Sequence, residues 1–172
     1  MALWGLREVH NEGLVYYDFK MENILLTGFD NENAPSDDES VPLMLYAKLA
    51  DLGSVMAPSR GEVTSIAYRS PEVYFNKPWT SAIDIWAWGI ACFHLLQARI
   101  NFSSHGVYDC IIKDGMLEQK ANAVRTVQCH DFNVRSNEYF QNCNCSICDK
   151  VNVDLGDERW TDRLVAQGGS GV

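Results

Sequence analysis

Three polar residues that could do chemistry interrupt an apolar run near the start of the chain. Residues 14–26 read LVYYDFKMENILL, which places a carboxylate, an ammonium group and a carboxamide at Asp18, Lys20 and Asn23. A buried charge costs free energy unless it is paired or bound to a ligand. The segment is therefore either an ordinary turn between short strands or a loop whose polar side chains face a bound group.

Three further polar blocks follow in a defined order: DLG, which begins at Asp51, YRSPE, which ends at Glu72, and DIWAWG, which begins at Asp84. Together with YYDFKMEN, these blocks resemble the C-terminal lobe of the eukaryotic protein kinases in residue type and order. A single block would be weak support, whereas four in the same order are specific. The resemblance covers residues 3–127, with a fainter similarity to about residue 166.

The resemblance implies transfer of the ATP γ-phosphoryl group to serine or threonine hydroxyls of protein substrates. In that reaction Asp18 would orient the acceptor hydroxyl and take its proton. Lys20 would offset the negative charge on the transferred group, and a lysine at this position is typical of the serine/threonine type. Asn23 and Asp51 match the family's cofactor-binding and metal ligands, so the implied cofactors are ATP and Mg²⁺.

The resemblance also implies structural roles around this site. Gly53 would let the backbone turn tightly after the metal ligand. Ser65 matches the family's threonine that hydrogen-bonds the catalytic aspartate and lysine. Glu72 belongs to the activation segment, and the arginine that pairs with it in the family is expected beyond the end of this chain.

The chain departs from the family pattern beside the catalytic aspartate. Tyr16 and Tyr17 stand where the family has His-Arg, and Met21 replaces the usual proline. Without that arginine a phosphorylated activation segment has no partner here, so we expect activation to be independent of such phosphorylation. Asp84 is interpreted as structural, holding the backbone of the loop around the two tyrosines.

The family's glycine-rich loop, its V-A-I-K lysine and the partner glutamate are missing from the printed sequence. These motifs belong to the N-terminal lobe, so the chain is interpreted as a fragment that lacks this lobe, with weak nucleotide binding and little turnover. The alternative is a non-catalytic, pseudokinase-like interaction module that keeps the lobe as a docking scaffold.

The predicted fold class is α+β and mainly helical, a kinase-like C-terminal lobe with short β-hairpins around the catalytic and metal-binding loops. A central helix begins near Thr80 with Ser81 and Asp84 as a capping box, and Trp86 and Trp88 are expected in the core. Sequence patterns predict helices at 3–12, 80–96, 117–127 and 158–166, and strands at 14–16, 24–26 and 45–50.

The resemblance divides the chain into two parts. It implies a partial kinase domain at residues 1–127, with an acidic insertion at 27–44 that lengthens the spacing between Asn23 and Asp51. Such a polar run cannot bury enough apolar area to order itself, so we expect a solvated loop. Residues 128–172 are interpreted as a divergent, partly irregular continuation with a flexible tail.

Charge and hydropathy exclude several classes of partner. A net charge of −9 and a pI near 4.8 argue against broad nucleic-acid or anionic-membrane binding. The most apolar stretch, 83–96, is shorter than the roughly 20 residues of a bilayer span, and no signal peptide is visible. We therefore expect an intracellular protein, in the cytoplasm or alternatively the nucleus, with reduced cysteines. The oligomeric state stays open.

The cysteines concentrate near the C-terminus as Cys143, Cys145 and Cys148, with Cys129 and His130 upstream. A structural zinc site needs four such ligands. C-x-C-x-x-C is not a standard zinc-finger spacing, however, so we expect thiols and keep zinc as the alternative.

Overall fold

The computed structural model describes residues 2–28, 46–103, 105–112, 115–141 and 143. This part of the chain is mainly helical, with one small antiparallel sheet. Its elements are α1 (Ala2–Asn11), β1 (Ile24–Thr27), β2 (Tyr46–Leu49), α2 (Pro71–Tyr74), α3 (Ala82–Ile100), α4 (Leu117–Asp131) and α5 (Glu138–Gln141). Short 3₁₀ turns lie at Met21–Asn23, Leu52–Ser54, Ile66–Tyr68, Asp109–Ile112 and Val134–Ser136.

The β1–β2 hairpin brings two distant parts of the sequence side by side. Ile24 lies opposite Leu49 in the register, and the Ala50 amide continues the pairing by donating to the Asn23 carbonyl at 2.9 Å. Helix α1 packs against β2 at Gly5, where a Cβ atom would lie only 3.1 Å from the Leu49 side chain. A glycine at this point allows the helix to approach the strand closely.

Helix α3 is the central element that the apolar run predicted. Ile83, Ala87 and Ala91 are almost fully buried, and Trp88 makes an edge-to-face contact with Phe19 at a centroid distance of 5.6 Å. Apolar residues occur on nearly every side of this helix, but other elements of the described structure bury only part of its surface. Ile85 on the opposite side is 51% exposed.

Two local predictions were wrong. Residues 14–16 do not form a strand; Val15 makes a single isolated bridge with Met56, because Tyr17 turns to a positive φ of 43° two residues later and ends the extended run. The capping box is also absent, since Ser81 is helical and makes no side-chain cap hydrogen bond. The Asp84 carboxylate instead accepts hydrogen bonds from the Tyr16 and Tyr17 amides.

Toward the C-terminus, α4 extends past the predicted end at residue 127 to Asp131. The short helix α5 lies in a stretch that was expected to be irregular. The bulk of the acidic insertion, the helix predicted at 158–166, and Cys145 and Cys148 lie outside the described residues. In the part that the structure describes, no helix is long and apolar enough to cross a bilayer.

Candidate functional site

Asp18 lies in a tight turn that follows the Val15 bridge. Its amide donates to the Tyr16 carbonyl at 2.8 Å, and Tyr17 in between has a positive φ of 43°. A non-glycine residue in this region costs roughly 1–3 kcal/mol unless the surroundings enforce it. The turn therefore needs an external anchor.

Asp84 on α3 provides that anchor. Its carboxylate is 1% exposed and accepts hydrogen bonds from the Tyr16 and Tyr17 amides, each at 2.9 Å. The Nε2 atom of His10, at the end of α1, lies 2.8 Å from the same carboxylate. The contact with the two amides is the one that the sequence predicted for Asp84, whereas His10 was not predicted to be part of it.

The Asp18 carboxylate is itself held by three donors from separate positions. Lys20 Nζ donates to Oδ2 at 2.7 Å and Asn23 Nδ2 donates to the same oxygen at 3.1 Å. Ser65 Oγ donates to the other oxygen, Oδ1, at 3.3 Å. Asn23 Nδ2 also donates to the Asp18 backbone carbonyl at 2.9 Å, which links the two ends of the segment 18–23. These bonds fix the direction in which the carboxylate points.

The ammonium group of Lys20 is stabilised in its charged form. Its hydrogen bond to Asp18 raises the pKa of Lys20 above the ordinary value, and the charges of Glu22 and Asp51 act in the same direction. Because Lys20 therefore stays protonated at neutral pH, the site holds a positive charge beside two carboxylates. Such a charge can stabilise an anionic group that enters the site.

Asp51 reaches the same site through the hairpin. Because the Ala50 amide bonds the Asn23 carbonyl, Asp51 follows directly on the residue paired with Asn23. The Asp51 backbone adopts the left-handed helical conformation, with φ 53° and ψ 59°, and the residue is exposed. Gly53 lies in the tight 3₁₀ turn Leu52–Ser54 that follows Asp51. The positive φ belongs to Asp51, and a Cβ at Gly53 would lie 3.3 Å from the Asp51 Oδ1 atom.

Tyr16 connects the Asp18 turn to the hairpin. Its side chain is fully buried and its hydroxyl donates to the Ala50 carbonyl, which ties the Asp18 turn to the end of β2. Burial raises the pKa of Tyr16 to about 12, and the negative charges of Asp18 and Asp51 contribute to the rise. The Ala50 backbone, bonded by both Tyr16 and Asn23, thus links the Asp18 loop to the segment that begins with Asp51.

The oxygen atoms at the site suit a hard divalent cation that is shared with a ligand. The Asn23 nitrogen is used on Asp18, which leaves its side-chain oxygen as an acceptor, and Asp51 follows Ala50, whose amide bonds the Asn23 backbone carbonyl. Among the described residues no group of three His, Cys, Asp or Glu side chains could hold a metal alone. Mg²⁺ fits this set, because it takes one or two protein oxygens and completes its shell with phosphates and water.

Glu72 lies apart from this cluster. It is half-buried at the edge of an apolar cavity of about 350 Å³ that Ile85, Trp86 and Phe132 also line. Its backbone carbonyl accepts from the Lys77 amide at 2.7 Å. Glu72 thus belongs to the segment that follows Ser65 and does not touch the carboxylate site.

Comparisons with known proteins agree with this arrangement. A family model described as "Protein kinase domain" matches residues 1–163. A protein of Acanthamoeba polyphaga mimivirus, provisionally named serine/threonine-protein kinase R517/R518, is 33% identical over 130 residues, which are 69% of this chain and 28% of that protein. Serine/threonine-protein kinase AFC3 of Arabidopsis thaliana is 32% identical over 109 residues, 56% of this chain and 27% of the relative.

A third relative is the DNA damage response protein kinase DUN1 of Saccharomyces cerevisiae. It is 30% identical over 112 residues, which are 59% of this chain and 21% of that protein. The chain therefore spans less than a third of the length of each of these three relatives.

Proposed function

The chain belongs to the protein kinase family, and on this premise we propose that its carboxylate site is the phosphotransfer centre of an ATP-dependent serine/threonine kinase. We further propose that the described residues correspond to the C-terminal lobe. The single observation that carries the proposal is the Asp18 carboxylate, fixed by Lys20, Asn23 and Ser65 beside Asp51. Two of the named relatives are serine/threonine-protein kinases, which supports that specificity.

Each side chain has a distinct part in the proposed reaction. Asp18 accepts the hydrogen bond of the substrate hydroxyl and takes its proton as the oxygen attacks phosphorus. Lys20 holds a positive charge near the transferred group and lowers the free energy of the charged transition state. Asn23 and Asp51 would hold Mg²⁺, which when bound neutralises charge on the ATP phosphates.

We propose that the 172-residue chain alone binds Mg-ATP weakly and turns over slowly. The printed sequence has no glycine-rich loop and no V-A-I-K lysine, so contacts to the adenine and most of the triphosphate are missing from it. Binding then depends on the metal and on the few protein groups that hold it. The dependence of nucleotide binding on Mg²⁺ is therefore the most informative readout.

The test is isothermal titration of the purified chain with ATP, with and without Mg²⁺. We expect weak binding that requires Mg²⁺ and that Asp51→Asn weakens by at least roughly tenfold, since a charged metal ligand is lost. Glu12→Gln, an exposed carboxylate at the end of α1, is the matched control and should leave binding unchanged. Binding that is indifferent both to Mg²⁺ and to Asp51→Asn would contradict the proposal.

The second candidate is a non-catalytic interaction module, favoured by one specific observation. Between α1 and the hairpin lies an open apolar cavity of about 660 Å³, bordered by Trp4, Tyr46 and Leu52, and all three of these side chains are exposed. Exposed apolar patches of this kind often mark protein interfaces. Complete absence of ATP binding in the presence of Mg²⁺ would favour this candidate over the kinase proposal.

A further inference from the structure

A third cavity is lined by two arginines that the proposed chemistry does not use. The cavity has a volume of about 500 Å³ and lies between α4 and the segment around α2. Its lining includes Ile66, Arg69, Tyr74 and Arg125.

Arg125 is a buried cation without a carboxylate partner among the described residues. Only 9% of the residue is exposed, and its described hydrogen bond runs from Nη2 to Asn122 Oδ1 at 2.9 Å. Its Nε atom is buried and lacks a hydrogen-bond partner. A guanidinium has five N–H donors, and a buried, unpaired charge is strongly unfavourable. An anion in the cavity would relieve that cost.

Arg69 is the second cation and is nearly as well buried. Its side chain is 11% exposed and lies 3.5 Å from Glu62, whose own side chain is 83% exposed. A pair with such an exposed partner contributes little. The Arg69 Nε atom is likewise buried without a partner, while Nη2 donates to the Thr64 carbonyl at 3.3 Å.

The two guanidinium groups lie over neighbouring aromatic rings, Arg69 at 5.4 Å from the Tyr74 centroid and Arg125 at 5.9 Å from the Phe75 centroid. Burial raises the pKa of the Tyr74 hydroxyl above its ordinary value, and the charges of Arg69 and Arg125 oppose the rise. The Tyr74 hydroxyl donates a hydrogen bond to the Ile66 carbonyl at 2.7 Å. The lining of the cavity thus carries two positive charges, and each guanidinium retains a buried Nε–H group without a hydrogen-bond partner.

We propose that this cavity binds a phosphate group through Arg69 and Arg125. A phosphomonoester carries a charge of about −1.5 to −2 at neutral pH, enough to neutralise both guanidiniums, whereas one carboxylate neutralises only one. Planar N–H forks match phosphate oxygens in pairs. The carboxylates of Glu62 and Glu118 also line the cavity, but they are exposed and therefore screened by water and salt more than the buried arginines.

Binding at this cavity is measured without ATP, so the result does not depend on whether the chain transfers phosphoryl groups. The probes are inorganic phosphate and one peptide in three forms, with phosphoserine, serine or glutamate at a single position, titrated calorimetrically. We expect phosphate and the phosphoserine form to bind at least about tenfold more tightly than the serine and glutamate forms. Tighter binding of the phosphopeptide than of phosphate would identify a protein-borne ligand, and equal binding would identify free phosphate; both outcomes support the site.

The variant Arg125→Met removes one cation while keeping the apolar stem, and we expect it to weaken phosphate binding at least about tenfold. Arg7→Met is the matched control, since Arg7 is an exposed arginine stacked 5.0 Å over Trp4 on α1. It should bind phosphate like the wild type. Equal binding by folded Arg125→Met, or tightest binding of the glutamate peptide, would overturn the proposal.

A measurement on the unmodified chain guards against a variant that fails to fold. In nitrogen-15 spectra of the arginine side chains, the Nε–H signals of Arg69 and Arg125 should shift when inorganic phosphate is added, while that of Arg7 stays in place. If phosphate leaves the signals of Arg69 and Arg125 unmoved, the cavity is not a phosphate site.

Discussion

Replacing Asp84 tests how the fold holds the catalytic turn. Its carboxylate accepts the amides of Tyr16 and Tyr17, both at 2.9 Å, and is itself 1% exposed. Asp84→Ala leaves both N–H groups without an acceptor, at roughly 1–3 kcal/mol for each donor that stays buried, so we expect a loss of about 2–6 kcal/mol in the free energy of unfolding. Asp84→Asn keeps one carbonyl oxygen and should lose about half as much.

The assay is urea unfolding followed by the fluorescence of the chain's five tryptophans. Glu12→Gln, on the surface, should change the free energy of unfolding by no more than about 0.5 kcal/mol. Hydrogen exchange adds a local readout, because the Tyr16 and Tyr17 amides should exchange much faster in Asp84→Ala. A loss below about 1 kcal/mol, together with unchanged exchange at these two amides, would refute the anchoring role.

Three further predictions concern the residues around Asp18. The bond to Asp18 raises the pKa of Lys20 above its ordinary value of 10.5, so Lys20 stabilises the fold fully below that pH and the contribution is lost as pH rises through the raised value. Lys20→Met should therefore cost about 1 kcal/mol at pH 8 in urea melts that compare it with wild type, and the cost should shrink as the pH is raised above 10.5. Ser65→Ala removes the 3.3 Å bond to Asp18 and should lower the free energy of unfolding by about 0.5–1.5 kcal/mol, and an unchanged melt would contradict this bond. Gly53→Ala places a Cβ 3.3 Å from Asp51 Oδ1 and should weaken Mg-ATP binding severalfold with little change in stability, whereas unaltered binding would show that Asp51 tolerates the crowding.

The sequence predicted those elements whose pattern is local. The long apolar run gave α3, and the apolar segments that flank the acidic insertion gave both strands of the hairpin. The run at 14–16 looks like a strand by the same criterion, but the positive φ of Tyr17 depends on an acceptor 67 positions away on Asp84. No local pattern contains that information. The contact was reached only through the resemblance to a family.

Contacts between distant single residues were not predictable in this way. His10 has no neighbour in sequence that marks it as a partner of Asp84, 74 positions later. Arg125 is likewise unremarkable in sequence, and Arg69 lies in the YRSPE block without a predicted role; only the packing of α4 against α2 brings the two arginines to one cavity. The exposed side of α3 at Ile85 could not be told from the buried side, because both are apolar.

We propose above that Asp18, Lys20, Asn23 and Asp51 surround one metal–nucleotide site. The most direct measurement is a crystal structure of the chain with Mn²⁺ and a non-hydrolysable ATP analogue, with the metal located by its anomalous signal. We expect a metal peak roughly 2.1 Å from oxygens of Asn23 and Asp51, with the Asp18 carboxylate facing the terminal phosphate. A metal bound elsewhere, or carboxyl groups of Asp18 and Asp51 on opposite surfaces, would contradict it.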